Sequence, residues 1–281
     1  MNQEKRYSGV IHLAVMLFGF AGLFAKFIEA PSIVIVWGRV AFATIILWFF
    51  HLKISDNKPE RKDYFKLFLL GVLLAVHWLS FFESIKLSSV GIGLISFSSF
   101  PIFVILYETL FNKYKIKLFD ILTIVVVLTG IWLIIPDYNL GNNIFTGILT
   151  GLVSAISFAV LTIKNKEFVN RINGISLALY QYIFAAVIIT PLIFYTKFSL
   201  SVTDWINLSI LGIVFTALGH TIYIRALKFV SAKKTALITC MEPVYGILFA
   251  LILLGEIPEP RVILGGIVII GTIIFVTFKR T

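Results

Sequence analysis

The chain has 281 residues, 59% hydrophobic and 14% charged, with a formal net charge of +10 and a mean hydropathy of +1.00. Soluble domains are nearer a quarter charged and could not hide this much apolar surface in a core, so lipid is the expected solvent. The basic residues sit in short links between apolar runs and form no stripe, which argues against a nucleic-acid partner.

About 20 apolar residues cross roughly 30 Å of hydrocarbon. Runs of that kind predict ten membrane helices, at 9–28, 32–51, 65–82, 88–110, 118–136, 146–163, 175–195, 205–224, 231–254 and 260–278. Lys5 and Arg6 lead into the first run and no small-residue cleavage site follows, so that run reads as an uncleaved helix. It carries Gly19-x-Ala21-Gly22. The sixth carries Ser157-x-Ala159 and Gly147-xxx-Gly151, small-residue patterns suited to close helix contacts. With the N-terminus in the cytoplasm, the outer links hold only Lys26, Lys86, Lys197 and Arg261. Arg39 lies inside a run, and the rest of the 24 Lys and Arg fall on the inner side. The positive-inside rule then places both termini in the cytoplasm. Cys240, the single cysteine, lies in an apolar run and permits no internal disulfide.

Residues 225–256 can be laid on residues 83–114 without a gap, at a constant offset of 142. Lys86 falls on Lys228, Ser89 on Ser231 and Pro101 on Pro243. Each copy is a polar link followed by an apolar run with proline near its middle. There proline removes a backbone hydrogen bond and breaks the helix at membrane depth. The first link faces outside and the second inside, so the two five-span halves, 9–136 and 146–278, form an inverted repeat joined by the polar turn Pro136–Asn143. Breaks at matching places in two halves point to a transporter's binding site.

The chain resembles the ten-helix drug/metabolite transporter superfamily in its EamA-like branch. The resemblance rests on Ala226-Leu227-Lys228-Phe229-Val230-Ser231, Glu242-Pro243, Leu254-Gly255-Glu256 and Gly265-Gly266…Gly271. The first half has the looser Ser84-Ile85-Lys86-Leu87-Ser88-Ser89 and then Pro101. Phe100 and Tyr114 replace the glutamates of the motif there, so any role for those carboxylates exists once in this chain. The resemblance implies an all-α polytopic bundle and secondary transport of amino acids, related metabolites or amphiphilic drugs, more often exported. It does not specify the substrate.

Ionisable residues inside spans cost about 2.5–3.5 kcal/mol at the centre by insertion scales and are the default functional candidates. Arg39, His77, His220 and Glu242 are such residues, and the two histidines sit one position apart in the repeat frame. In a functional role, Arg39 would hold a substrate carboxylate and Glu242 a substrate amine or a proton. In a structural role, they would pair with each other or with carbonyls freed by Pro243. Ser96, Ser98 and Ser99 cluster at the first break, and Thr239 and Cys240 at the second. Their side chains could contact ligand or re-satisfy the backbone, with the backbone role weighing more for any single one. Trp37, Trp78, Tyr180 and Tyr182 are candidates for an aromatic wall. The expected substrate-binding set is Arg39, His77, Trp78, Ser96, Ser99, Tyr180, His220, Thr239 and Glu242, with helix breaks at Pro101 and Pro243.

No phosphate loop, metal-ligand spacing or nucleophile–base pair is readable, so neither an enzyme nor a cofactor is expected. The expected partners are a small-molecule substrate and the lipid bilayer, with protons a candidate coupling ion. The reading is a secondary transporter of the cytoplasmic (inner) membrane, working by alternating access and exporting an amino acid or related compound. The alternatives are a salvage importer of a nucleotide-like or sugar-like solute and, from other classes, a polytopic membrane enzyme or a purely structural membrane protein.

Overall fold

A backbone in hydrocarbon has no water to satisfy its N–H and C=O groups, and an α-helix satisfies them within one segment. The computed structural model follows that constraint. It describes residues 3–54, 57–111, 116–134 and 143–278, and no strand occurs among them. The helices are α1 (Gln3–Phe27), α2 (Ser32–His51), α3 (Arg61–Leu87), α4 (Val90–Phe97), α5 (Phe100–Phe111) and α6 (Leu118–Ile134). They continue as α7 (Asn143–Phe168), α8 (Gly174–Ile193), α9 (Val202–Ala226), α10 (Ala232–Thr239), α11 (Glu242–Leu254) and α12 (Pro260–Phe278).

Among the described residues, seven segments are long and apolar enough to cross a membrane: α1, α2, α3, α4–α5 taken together, α7, α8 and α9. Shorter apolar helices account for α6, α11 and the first part of α12. Every expected run is helical over most of its described length. Several extend past the expected ends, because an apolar run measures the hydrocarbon while the helix continues into interfacial turns. The run 65–82 becomes Arg61–Leu87, 146–163 becomes Asn143–Phe168 and 205–224 becomes Val202–Ala226. Tyr114, the end of run 118–136 and the join from Pro136 to Asn142 lie outside the described residues.

The two breaks fall at corresponding places. α4 gives way to α5 at Ser98–Ser99, and α10 to α11 at Cys240–Met241, 142 residues on. Both broken segments also start alike. Ser89 Oγ accepts from Ile92 N at 3.1 Å and Ser231 Oγ accepts from Lys234 N at 3.2 Å, so a serine caps each helix. The break precedes the proline rather than being made inside a continuous helix. Pro101 and Pro243 are each the second residue of the helix that follows, where a missing N–H needs no acceptor.

Across the bundle, α2 packs on its counterpart α8 and α6 on its counterpart α12, while the two broken segments pack crosswise, α4 on α11 and α5 on α10. α3 lies on α7 and α8, and α1 on α11. The α1–α11 contact is a close approach of two backbones near the second break. A Cβ built on Gly19 would stand 2.8 Å from Glu242 O and 2.8 Å from Gly246 N, so only glycine lets these backbones meet. Within α9, Leu211–His220 is wound as a π-helix, a rare winding that is concentrated at functional sites.

Candidate functional site

The helices enclose a cavity that draws on both halves of the chain. Arg39 comes from α2, His77, Trp78 and Phe81 from α3, Phe97 from α4, Phe158 from α7, His220 from α9 and Glu242 from the first turn of α11. Phe18 and Ala21 of α1 complete the lining. Its volume is about 30 Å³, room for a water or two and too little for a metabolite.

Arg39 is 3% exposed. Its Nε donates to Thr216 Oγ1 at 2.9 Å, and its guanidinium carbon lies 3.8 Å from the Trp78 ring centroid and 5.3 Å from that of Phe82. A cation over an indole face is held by the ring quadrupole without losing its outer N–H groups. Thr216 can receive it because its own hydroxyl donates to Leu211 O, five residues back, at 2.8 Å. That span matches the π winding of α9. The Tyr182 hydroxyl lies 3.1 Å from Thr216 O and 2.9 Å from His220 Nδ1. By donating to the carbonyl it is left to accept from the histidine N–H.

On the other wall, His77 Nδ1 is 2.8 Å from Ser154 Oγ and 3.2 Å from Ser154 O. Its ring packs among those of Phe81, Phe97 and Phe158, at centroid distances of 6.0, 5.3 and 4.7 Å. Glu242 is 3% exposed, and its side chain makes no hydrogen bond or ion pair with any described residue. Arg39 and Glu242 thus border one cavity without an ion pair between them. Such a cavity offers a cation with a flat binding fork, an acidic group open to a ligand or a proton, two imidazoles and several aromatic faces.

Of the residues expected at the site, Arg39, His77, Trp78, His220 and Glu242 line the cavity. Ser96, Ser99 and Thr239 are buried at the breaks with their hydroxyls committed to the backbone. Ser96 Oγ donates to Ile92 O at 2.7 Å, Ser99 Oγ to Ser96 O at 2.8 Å and Thr239 Oγ1 to Thr235 O at 2.9 Å. Tyr180 is not brought to the cavity. Its hydroxyl meets that of Tyr64 at 3.3 Å, its ring stands edge-on to His51, and Tyr182, on the next face of α8, reaches His220 instead. Trp37 donates to Thr190 Oγ1 at 3.2 Å, away from the lining. The sequence singled out neither Phe97, Phe158 nor Thr216. One of 27 phenylalanines in an apolar chain carries no mark of its own, and a π-helix has no sequence signature.

The model of the EamA-like transporter family matches this chain twice, at residues 8–135 and 145–278. An uncharacterized transporter of Bacillus subtilis, YxxF, is 23% identical over 100% of this chain and 93% of its own length. A Rickettsia conorii protein named S-adenosylmethionine uptake transporter is 24% identical over 89% of this chain and 84% of its own. The pseudopaline exporter CntI of Pseudomonas aeruginosa is 24% identical over 94% and 93%. A crystal structure with 14% identity superposes at a TM-score of 0.70, covering 99% of this chain and 100% of the other. That last likeness concerns the fold alone.

Proposed function

Because the chain belongs to the EamA-like transporter family, we propose that it carries a small amphoteric metabolite, an amino acid or related compound, across the cytoplasmic membrane by alternating access. It is a multi-pass membrane transporter, not an enzyme. In the proposed arrangement, ten helical segments form two inverted five-helix repeats with both termini in the cytoplasm. The helix breaks, the capping serines and the packing of matching helices support this arrangement.

The observation that carries the substrate reading is that two buried ionisable groups, Arg39 and Glu242, border one cavity without forming an ion pair. Holding two ions out of water in this way is expensive unless a ligand or a proton completes them. Arg39 receives the substrate's carboxylate, Glu242 its amine or a proton, and Trp78 with the phenylalanines its apolar part. Export is the proposed direction. Uptake is the second reading, favoured by a relative named as an S-adenosylmethionine uptake transporter.

The experiment is transport of a labelled panel of amino acids and related metabolites by proteoliposomes, with and without a pH gradient. The reading expects at least one panel member to be moved by wild type and not by Arg39→Gln. Equal transport by both proteins would remove Arg39 from the site.

A further inference from the structure

Next to the cavity, toward the end of the bundle that the proposed topology turns inward, three buried hydroxyls have no hydrogen-bond partner among the described residues. They are Thr162 Oγ1 of α7, Tyr223 Oη of α9 and Thr235 Oγ1 of α10. Thr162 is 1% exposed and the other two are fully buried. Thr162 follows the cavity residue Phe158 by four positions and Tyr223 follows His220 by three, so each continues its neighbour's helix face. Thr239 precedes Glu242 by three positions across the break, and Thr235 stands one turn before Thr239.

The Tyr223 ring packs on those of Phe18, Phe158 and His220, at centroid distances of 5.4, 5.9 and 6.4 Å. All three line the cavity, so Tyr223 closes it on this side. Its hydroxyl lies beside the side chains of Thr162 and Thr239, outside hydrogen-bonding geometry with either. Thr239 Oγ1 donates to Thr235 O at 2.9 Å and keeps its lone pairs. Thr235 N donates to Ser231 O at 2.9 Å, and Ser231 is exposed. Polar oxygens thus step from the cavity to a turn at the surface.

The first half of the chain has no such steps. The residues 142 positions earlier are Phe81 for Tyr223, Phe97 for Thr239 and Gly93 for Thr235. There the two phenyl rings meet edge to face at 5.5 Å. Phenylalanine and valine would serve packing alone, because an unpaired buried hydroxyl costs its desolvation and returns nothing. Buried water returns it, making about three hydrogen bonds to otherwise unsatisfied groups.

We propose that Tyr223, Thr162, Thr239 and Thr235 hold ordered water that relays protons between Glu242 and the inner face of the membrane. The Glu242 carboxyl gives its proton to a water, which releases one of its own to the next oxygen. Each water and hydroxyl regains what it gives, so one proton crosses and nothing else changes. The relay rests on the reading of Glu242 as the proton carrier, and the water site does not. The titratable groups around Glu242 are Arg39 of α2, His77 of α3, His220 and Tyr223 of α9 and the adjacent Cys240. From α1 and α4, which also pack on α11, the cavity receives only Phe18, Ala21 and Phe97.

Two measurements on the purified full-length protein test this. The first is a high-resolution density map, in which water is expected within hydrogen-bonding distance of Tyr223 Oη and of Thr162 or Thr239 Oγ1. Dry hydroxyls, or a metal cation in place of water, would overturn the proposal. The second is infrared detection of hydrogen–deuterium exchange at the Glu242 carboxyl, whose C=O stretch is identified by its loss in Glu242→Gln. In Tyr223→Phe/Thr162→Val/Thr235→Val, which deletes three hydroxyls at similar shape, exchange is expected to slow about tenfold or more. Tyr223→Phe alone, expected to slow it too, serves if the triple variant does not fold. Thr129→Val, which removes a hydroxyl bonded within α6, should exchange like wild type. Unchanged exchange in both the triple and the single variant would overturn the relay. If no band is lost in Glu242→Gln, the proton-carrier reading falls and the relay with it, while the density map still decides the water site.

Discussion

Arg39 and Glu242 are both buried and form no ion pair with each other, and that arrangement makes specific demands on each side chain. Arg39 donates through Nε to Thr216 while its planar group lies over Trp78. A lysine there would have no fork and no flat face. Arg39→Lys is therefore expected to lower transport at least tenfold in proteoliposomes at unchanged protein yield, and near-normal transport would show that charge alone suffices. For Glu242, we expect Glu242→Gln to abolish proton-driven accumulation while sparing exchange of substrate for substrate. Exchange needs only a cavity and two gates, whereas driven transport needs a titrating group. A fixed Arg39–Glu242 pair makes the opposite prediction. Removing one member of a buried pair is destabilising by about 3–5 kcal/mol, so yield and all transport would fall together and the double neutral variant would recover part of both. Glu242→Gln protein that is well folded and still accumulates substrate under a pH gradient would place the coupling site elsewhere. Arg39, His77, His220 and Glu242, which line the cavity, were picked out because an ionisable group inside an apolar run stands out on cost alone. Tyr180 was not distinguished from Tyr182, because α8 is apolar on most faces and its pattern does not say which face meets the cavity.

At the scale of elements, the site depends on two interrupted helices and on the glycine contact that carries one of them. The breaks were legible from the repeat. Their construction was not, because proline proved to be an early residue of the second helix of each pair, with serine, threonine and cysteine side chains bonding the carbonyls at the end of the first. Pro243→Ala restores an N–H and allows α10 and α11 to fuse. It is expected to impair transport more than membrane insertion, and normal transport by both Pro101→Ala and Pro243→Ala would reduce the breaks to ordinary packing. Gly19 lies where any side chain meets the backbone of Glu242 and Gly246. Overpacking of this kind costs about 1–3 kcal/mol, so Gly19→Leu is expected to reduce the yield of monodisperse protein on size-exclusion chromatography. Gly9→Leu, at a position with nothing within 4 Å, should not. Equal behaviour of the two leucine variants would show that α1 and α11 can separate freely. The π winding of Leu211–His220 had no counterpart in the sequence reading, since apolar periodicity does not resolve a change from 3.6 residues per turn over so short a length.

For the whole molecule, apolar run lengths made the all-helical membrane architecture legible, while basic-residue asymmetry and the internal repeat carry the proposed orientation and inverted arrangement. The small size of the cavity was not legible, since it depends on side chains from six or more helices meeting at one point. The proposed topology places Asn57 inside and the join at Asn142, which lies outside the described residues, on the outer side. A cysteine at Asn142 should be labelled from outside in intact cells and one at Asn57 should not, and outside labelling of Asn57 would refute the inverted arrangement. The central claim is that the one cavity opens in turn to each face of the membrane. Ala21 lines that cavity, and Cys240, the only native cysteine, is fully buried and can be replaced by alanine. The most direct measurement is labelling of Ala21→Cys, in a Cys240→Ala background, by a membrane-impermeant maleimide in sealed right-side-out and inverted vesicles. The account predicts labelling in both preparations, and labelling in only one of them, or in neither, would contradict it.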